Sequence, residues 1–255
     1  VDAVKHSGVM VVGDARESLV ALAQALEGWS VEDGYREEQE RLWSSWDAEV
    51  EAAHHPSAEV TAALAPGLLT QGEVLGLVNE LSDPRDVVLC AAGSMPGDLH
   101  KSWRVRDRRG YHVEYGYSCM GYEVPAAIGV RLADETRDVF AMVGDGGYLM
   151  MPTELVTAVQ ERVKVVVVLV QNHGFHSIGS LSQSLGSQRF GTSYRARGAD
   201  GRLDGQTLPV DLAANARSLG AHVIEVEDRD GLVAAIHEAK GWPADGGPFV
   251  IHVQT

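Results

Sequence analysis

The chain alternates short apolar runs with longer segments of helical periodicity. Val139 to Val143 and Val165 to Val170 are apolar throughout, the pattern of strands buried on both faces. Similar runs predict strands over 86–91, 111–114, 222–226 and 249–253. Helices are predicted over 70–81, 125–132, 152–163, 210–219 and 229–239, with Thr70 as a cap and Pro152 in a first turn. Strands separated by helices predict an α/β fold: a doubly wound, mostly parallel sheet with helices on both faces. Val9 to Val12 reads as a further buried strand, followed by a helix from the Asp14 cap to about Leu26. The charged stretch from Glu32 to Ala53 reads as an exposed linking helix whose Trp43 and Trp46 pack on a neighbour. Pro56 to Gly67 is a connector, and Gly174 to Gln206 lacks periodicity, as functional loops of that length often do. The expected divisions are 1–30, the end of a preceding domain; 31–68, a helical linker; and 69–255, the α/β domain.

A net charge of −15 disfavours nucleic acid and anionic membrane surfaces as partners. No apolar run reaches the roughly 18 residues of a membrane span, and there is no leader pattern. Cys90 and Cys119 read as two reduced thiols of a cytoplasmic protein. The first residue is Val1 rather than Met, so a fragment of a longer protein is expected.

The polar residues that close the two central strands carry the chemistry. Asp145 lies in Gly144-Asp145-Gly146-Gly147 and Asn172 in Gln171-Asn172-His173-Gly174, 27 residues apart with one helix between them. Each alone is an ordinary turn. Together they put a carboxylate and an amide oxygen at neighbouring strand ends, where open α/β sheets bind ligands. With a backbone carbonyl near Gly174, these hard oxygens suit Mg²⁺ holding a diphosphate. The Gly146 and Gly147 amides and the start of the following helix would face phosphate. A dinucleotide fingerprint and a Walker loop are both absent: Leu149 breaks the first, and no Gly-Lys-Ser/Thr provides the second.

The Asp145–Asn172 pair, with Met120-Gly121-Tyr122-Glu123-Val124-Pro125-Ala126-Ala127-Ile128-Gly129, resembles the diphosphate-binding domain of thiamine diphosphate enzymes. The resemblance implies thiamine diphosphate and Mg²⁺ as cofactors, with Asp145, Asn172 and Gly174 as metal ligands. It implies cofactor contacts from Ala92, Gly93, Ser94, Met95, Ser118, Met120, Gly144, Asp145, Gly146, Gly147, Asn172, Gly174 and Phe175. Met120 would be the bulky residue that bends the cofactor. The backbone at Ser118 would face the aminopyrimidine, where the family often has Gly. Residues 1–30 would then end a middle domain.

Gly93-Ser94-Met95-Pro96-Gly97-Asp98-Leu99-His100-Lys101, Tyr111 to Glu123 and Asn172 to Ser187 resemble one branch, the trihydroxycyclohexane-dione hydrolases of myo-inositol breakdown. The likeness runs from about Leu69 to Thr255. It implies hydrolytic C–C cleavage of a cyclic polyol dione to 5-deoxy-glucuronate. The activating glutamate of such enzymes sits on a separate pyrimidine-binding domain, usually from a partner subunit, so the chain alone is expected to be inactive. A homodimer or homotetramer is expected of the full-length protein. His173 and His176 are candidate proton shuttles; His100 and His112 are weaker ones, and a zinc site is disfavoured. Gln183 and Ser184 would sit in a lid, and Glu123 reads as a local structural contact. The rival readings are an acetolactate-synthase-like carboligase, a 2-oxo-acid decarboxylase and a non-catalytic assembly subunit.

Overall fold

The structure, a computed structural model, describes residues 2–255, and these divide into two compact units, residues 2–48 and 49–255. The first holds the helices α1 (Asp2–Lys5) and α2 (Ala15–Ala25) and most of α3 (Asp33–His54). Asp14 caps α2 as expected, its Oδ1 accepting the Glu17 N–H at 3.0 Å. The expected strand at Val9–Val12 does not form: Val9 is 90% and Val12 96% exposed. A short apolar run has no reason to extend without a partner strand to satisfy its backbone. The linking helix forms as α3 and is largely exposed, Trp43 at 66% and Trp46 at 43%.

The second unit continues with α4 (Ala58–Ala63), α5 (Gln71–Leu81), β1 (Val87–Cys90), α6 (Ser94–Ser102), β2 (Tyr111–Val113) and α7 (Glu123–Ala133). Then come β3 (Val139–Gly144), α8 (Asp145–Met150), α9 (Glu154–Gln160), β4 (Val165–Gln171) and α10 (His176–Ser184). The unit closes with α11 (Leu212–Ser218), β5 (His222–Val226), α12 (Arg229–Gly241) and β6 (Pro248–Gln254). All six strands pair in parallel in the order β2-β1-β3-β4-β6-β5. This is the doubly wound α/β fold expected.

Alternation along each strand builds two cores. Phe140, Met142, Val166, Val168 and Val170 point to a layer of α5, α6 and α12; Ala141, Val143, Val165, Val167 and Leu169 point to α7, α9 and α11. Fully burying a Val or Leu side chain contributes about 1.5–3 kcal/mol, which is why the central strands carry no polar residue until their ends. Crossovers that step toward β5 run on one face and those that step back run on the other, as right-handed connections require. The chain leaves β1 for the outer β2 and returns past it to β3, so the topology reverses between β1 and β3. Ligands of open sheets bind at such a reversal, outside the carboxyl ends of the strands.

The helix expected over 152–163 forms as α9, and a helix the pattern did not show, α8, precedes it. The segment after β3 turns at once into α8, and Pro152 precedes α9, whose N-cap is Thr153, rather than sitting in a first turn. Gly147 has no side chain to press on Val143 of β3, and Gly146 none to press on the Phe175 ring, so the chain can coil directly off β3.

Candidate functional site

Three adjacent strands, β1, β3 and β4, end around one cavity of about 260 Å³. Its wall includes every residue expected to touch a cofactor. Ala92 to Met95 come from the exit of β1, Ser118 and Met120 from the loop before α7, Gly144 to Gly147 from β3 into α8, and Asn172, Gly174 and Phe175 from the exit of β4. His176 is in the wall; His173, His100 and His112 are not.

The first turns of α6, α8 and α10 all open onto this space through Ser94–Met95, Asp145–Gly147 and His176–Ile178. None of the three has a side-chain cap. By contrast α5, α11 and α12 are capped by Thr70, Asp211 and Asp228. First turns without an N-cap side chain present the positive ends of helix dipoles, so their convergence makes a seat for an anion; in α8 the Gly146 N–H is already taken by Asp145.

Asp145 is 1% exposed. Its Oδ1 accepts the Gly146 N–H at 2.8 Å, and its Oδ2 accepts those of Asn172 at 3.2 Å and Gly174 at 3.1 Å. The carboxylate thus ties the ends of β3 and β4 together. Burial raises its pKa, opposed by these N–H groups and that of His173, and no Lys or Arg pairs with it among the described residues. A divalent cation would supply the missing positive charge. Next to it, the buried Asn172 Oδ1 has no hydrogen-bond partner. An unsatisfied buried oxygen costs about 1–3 kcal/mol, which a ligand would recover. Carboxylate, amide oxygen and the Gly174 backbone are the donor set expected for Mg²⁺.

The glycines are steric requirements. A Cβ on Gly146 would lie 2.6 Å from the Phe175 ring, and one on Gly174 would lie 2.3 Å from the Thr192 carbonyl oxygen. That close approach belongs to a bridge between Gly174 and Ser193, where the Phe175 N–H donates to Thr192 at 2.8 Å and the Tyr194 N–H to His173 at 2.9 Å. The aperiodic stretch after Gly174 therefore folds back over the metal turn. Thr192 and Tyr194 carried no periodic signal by which the sequence would reveal them. The stretch also begins with the helix α10, so Gln183 and Ser184 stand on a helix, not in a loop.

Glu123, 1% exposed, makes the local contact expected of it. Its Oε2 accepts the Gly121 N–H at 3.0 Å and its Oε1 the Ala92 N–H at 3.4 Å, and burial raises its pKa. It lies directly beneath Gly147. The two candidate shuttles differ in placement. His173 turns its Nδ1 to Gln171 at 3.1 Å, and Gln171 contacts His252 at 2.7 Å, so its ring joins a buried polar chain. His176 is exposed at the cavity mouth, with its pKa lowered by partial burial and by the Arg189 charge.

Residues 91–253 match the family model described as thiamine pyrophosphate enzyme, C-terminal TPP binding domain. The chain belongs to this family. It is 38% identical to a 3D-(3,5/4)-trihydroxycyclohexane-1,2-dione hydrolase of Clostridium tetani, over 92% of this chain and 39% of that protein. The same name, identity and shares hold for a relative from Bacillus cereus. The chain thus spans about 39% of the length of these relatives. Among solved structures, a thiamine diphosphate-dependent 4-hydroxybenzoylformate decarboxylase from Rhodococcus jostii RHA1 superposes with a TM-score of 0.62 at 20% identity, over 76% of this chain and 34% of that one. Benzoylformate decarboxylase from Polynucleobacter necessarius gives 0.58 at 25%, over 75% and 33%. These structures share the fold of the thiamine pyrophosphate family domain. No helix among the described residues is long and apolar enough to cross a membrane.

Proposed function

We propose that this chain holds the diphosphate and metal of a thiamine diphosphate-dependent hydrolase that cleaves a C–C bond in trihydroxycyclohexane-1,2-dione, giving 5-deoxy-glucuronate in inositol breakdown. The observation that carries the reading is the meeting of three uncapped helix starts with the Asp145–Asn172 pair. The 38% identity to hydrolases of that name supports the substrate class.

Bound thiamine diphosphate would supply the nucleophilic carbon and the electron sink for C–C scission. In this chain, Asp145, Asn172 and the Gly174 carbonyl would hold Mg²⁺. The amides of Gly147, Ser94 and the α10 start would take the diphosphate oxygens, while the Gly146 N–H stays on Asp145. Met120 and Ser118 would support the rings, and Phe175 beside Gly146 would keep water from the phosphate end. His176, neutral at physiological pH, would accept a proton from the hydrolytic water. His173 is held for orientation of the turn rather than for proton transfer.

The share of the relatives that this chain spans supports a division of labour. A pyrimidine-binding domain outside these residues, from a partner subunit of a cytoplasmic homodimer or homotetramer, would bring the activating glutamate. The purified 255-residue chain is then expected to show no turnover of the dione. Calorimetry with Mg²⁺ and thiamine diphosphate tests the site. Asp145→Ala should weaken Mg²⁺-dependent binding by on the order of a hundredfold, and Asn172→Ala by roughly tenfold or more. Affinity unchanged in Asp145→Ala would remove the metal role.

A further inference from the structure

The loop between β2 and α7 carries Ser118 and Met120 into the cavity wall; its first half, 115–119, is exposed, with the Tyr115 ring beside His100 and the Ser118 hydroxyl donating to Ala91 at 3.3 Å. Tyr115 is 66% and Tyr117 92% exposed. A segment with so little apolar packing keeps one shape chiefly where its backbone groups are held individually. Two carboxylates do this. Glu114, just past β2, accepts the Tyr117 N–H on Oε1 at 2.9 Å and the Cys119 N–H on Oε2 at 2.7 Å. The Ser118 N–H faces the same group. Ser118 is left-handed at φ 53, so consecutive N–H groups curl into an anion-binding nest that the Glu114 side chain fills. Glu114 is itself fixed to the sheet, its N–H donating to Cys90 at 3.3 Å. At the far end, Gly121 is held by Glu123. Met120 stands between the two anchors, its Cε 3.2 Å from where a Gly146 Cβ would be.

We infer that Glu114 is a positioning residue: by occupying the nest at Tyr117–Cys119 it sets Ser118 and Met120 against the ring system of the cofactor, and takes no part in holding diphosphate or metal. The inference rests on the cofactor reading above. It separates two halves of one ligand. The phosphate end meets α8, α10 and the start of α6, none of which Glu114 touches. The ring end meets the loop that Glu114 shapes.

The test uses the 255-residue chain, saturating Mg²⁺ and two probes in calorimetry, inorganic diphosphate and thiamine diphosphate. In Glu114→Gln the amide keeps one acceptor and loses the charge. Thiamine diphosphate affinity should fall about tenfold, the weight of one charge-assisted hydrogen bond, while diphosphate affinity stays within about twofold. Glu114→Ala should lose more on the first probe and no more on the second. Met120→Ala should show the same selective loss, and the double variant Glu114→Gln/Met120→Ala should lose less than the two effects combined, because both act through one contact. An unchanged thiamine diphosphate affinity, or equal losses on both probes, would overturn the inference, since a carboxylate that merely stabilises the fold would not discriminate between them. It would also be overturned if the wild-type chain bound thiamine diphosphate no more tightly than diphosphate. Failure of the wild-type chain to bind even Mg²⁺–diphosphate would instead strike the cofactor reading itself.

Discussion

Gly174→Ala is the sharpest probe of the site's construction. The added Cβ would stand 2.3 Å from the Thr192 carbonyl oxygen and 2.9 Å from the Ser193 Cα, both backbone atoms that no rotamer change can move. The metal turn and the 192–194 strip must separate, which breaks the Phe175-to-Thr192 and Tyr194-to-His173 hydrogen bonds. Two backbone bonds at about 1 kcal/mol each, with about 1–3 kcal/mol of overpacking, give a loss of roughly 3–5 kcal/mol. For a domain of this size that lowers Tm by roughly 6–20 °C. Gly97→Ala is the matched control. Gly97 lies inside α6, and a methyl group added there would meet no atom within 4 Å, so the same chemical change should stabilise by about 0.5–1 kcal/mol. Denaturant unfolding of both variants, with slopes compared to exclude changes in the unfolded state, reads the two signs. Stability of Gly174→Ala within about 0.5 kcal/mol of the wild type would refute the steric argument.

Thiol titration of the native chain should find one rapidly reacting cysteine. Cys119 is exposed, whereas burial pushes the Cys90 thiol up to about 12 beside Tyr111, so the second thiol should appear only after denaturation. Two fast thiols in the folded protein would contradict the placement of β1. His252 is 5% exposed and its pKa is lowered first by burial. The unfolded chain therefore takes up a proton near the ordinary 6.5 while the folded chain resists, so stability present above that value is lost as pH falls. His176 and His54 are lowered too, so the contribution of His252 is read as the difference between wild type and His252→Asn across pH 7 to 5. A difference that does not shrink on acidification would count against a buried neutral His252.

The sheet was legible because Val165–Val170 and Val139–Val143 have no polar residue to place in water, and only a two-sided burial accommodates them. The site was legible because the same strands end in Asp145 and Asn172. The helices missed are those whose formation owes little to apolar periodicity. α6 contains Pro96 and Gly97, and α10 reads His-Ser-Ile-Gly-Ser-Leu-Ser-Gln-Ser, a polar string stabilised where it packs rather than by its own pattern. α8 hides in two glycines that usually end helices. The opposite error, at Val9–Val12, has the mirrored cause: local composition suits a strand, but no neighbouring strand among the described residues pairs with it. Glu114 was invisible for a third reason, because its role depends on backbone N–H groups, which any residue type supplies.

The order of the sheet has a bearing on how the protein is made. β4, the Val-rich centre, borders β3 on one side and β6 on the other, and β6 is the last of the described strands in sequence. During synthesis one flank of Val165–Gln171 stays open until residues 248–254 leave the ribosome. An unpaired apolar edge recruits other chains. Escape from aggregation is therefore scheduled by the arrival of one late strand, and a nonsense mutation that removes β6 should yield insoluble rather than merely weakened protein.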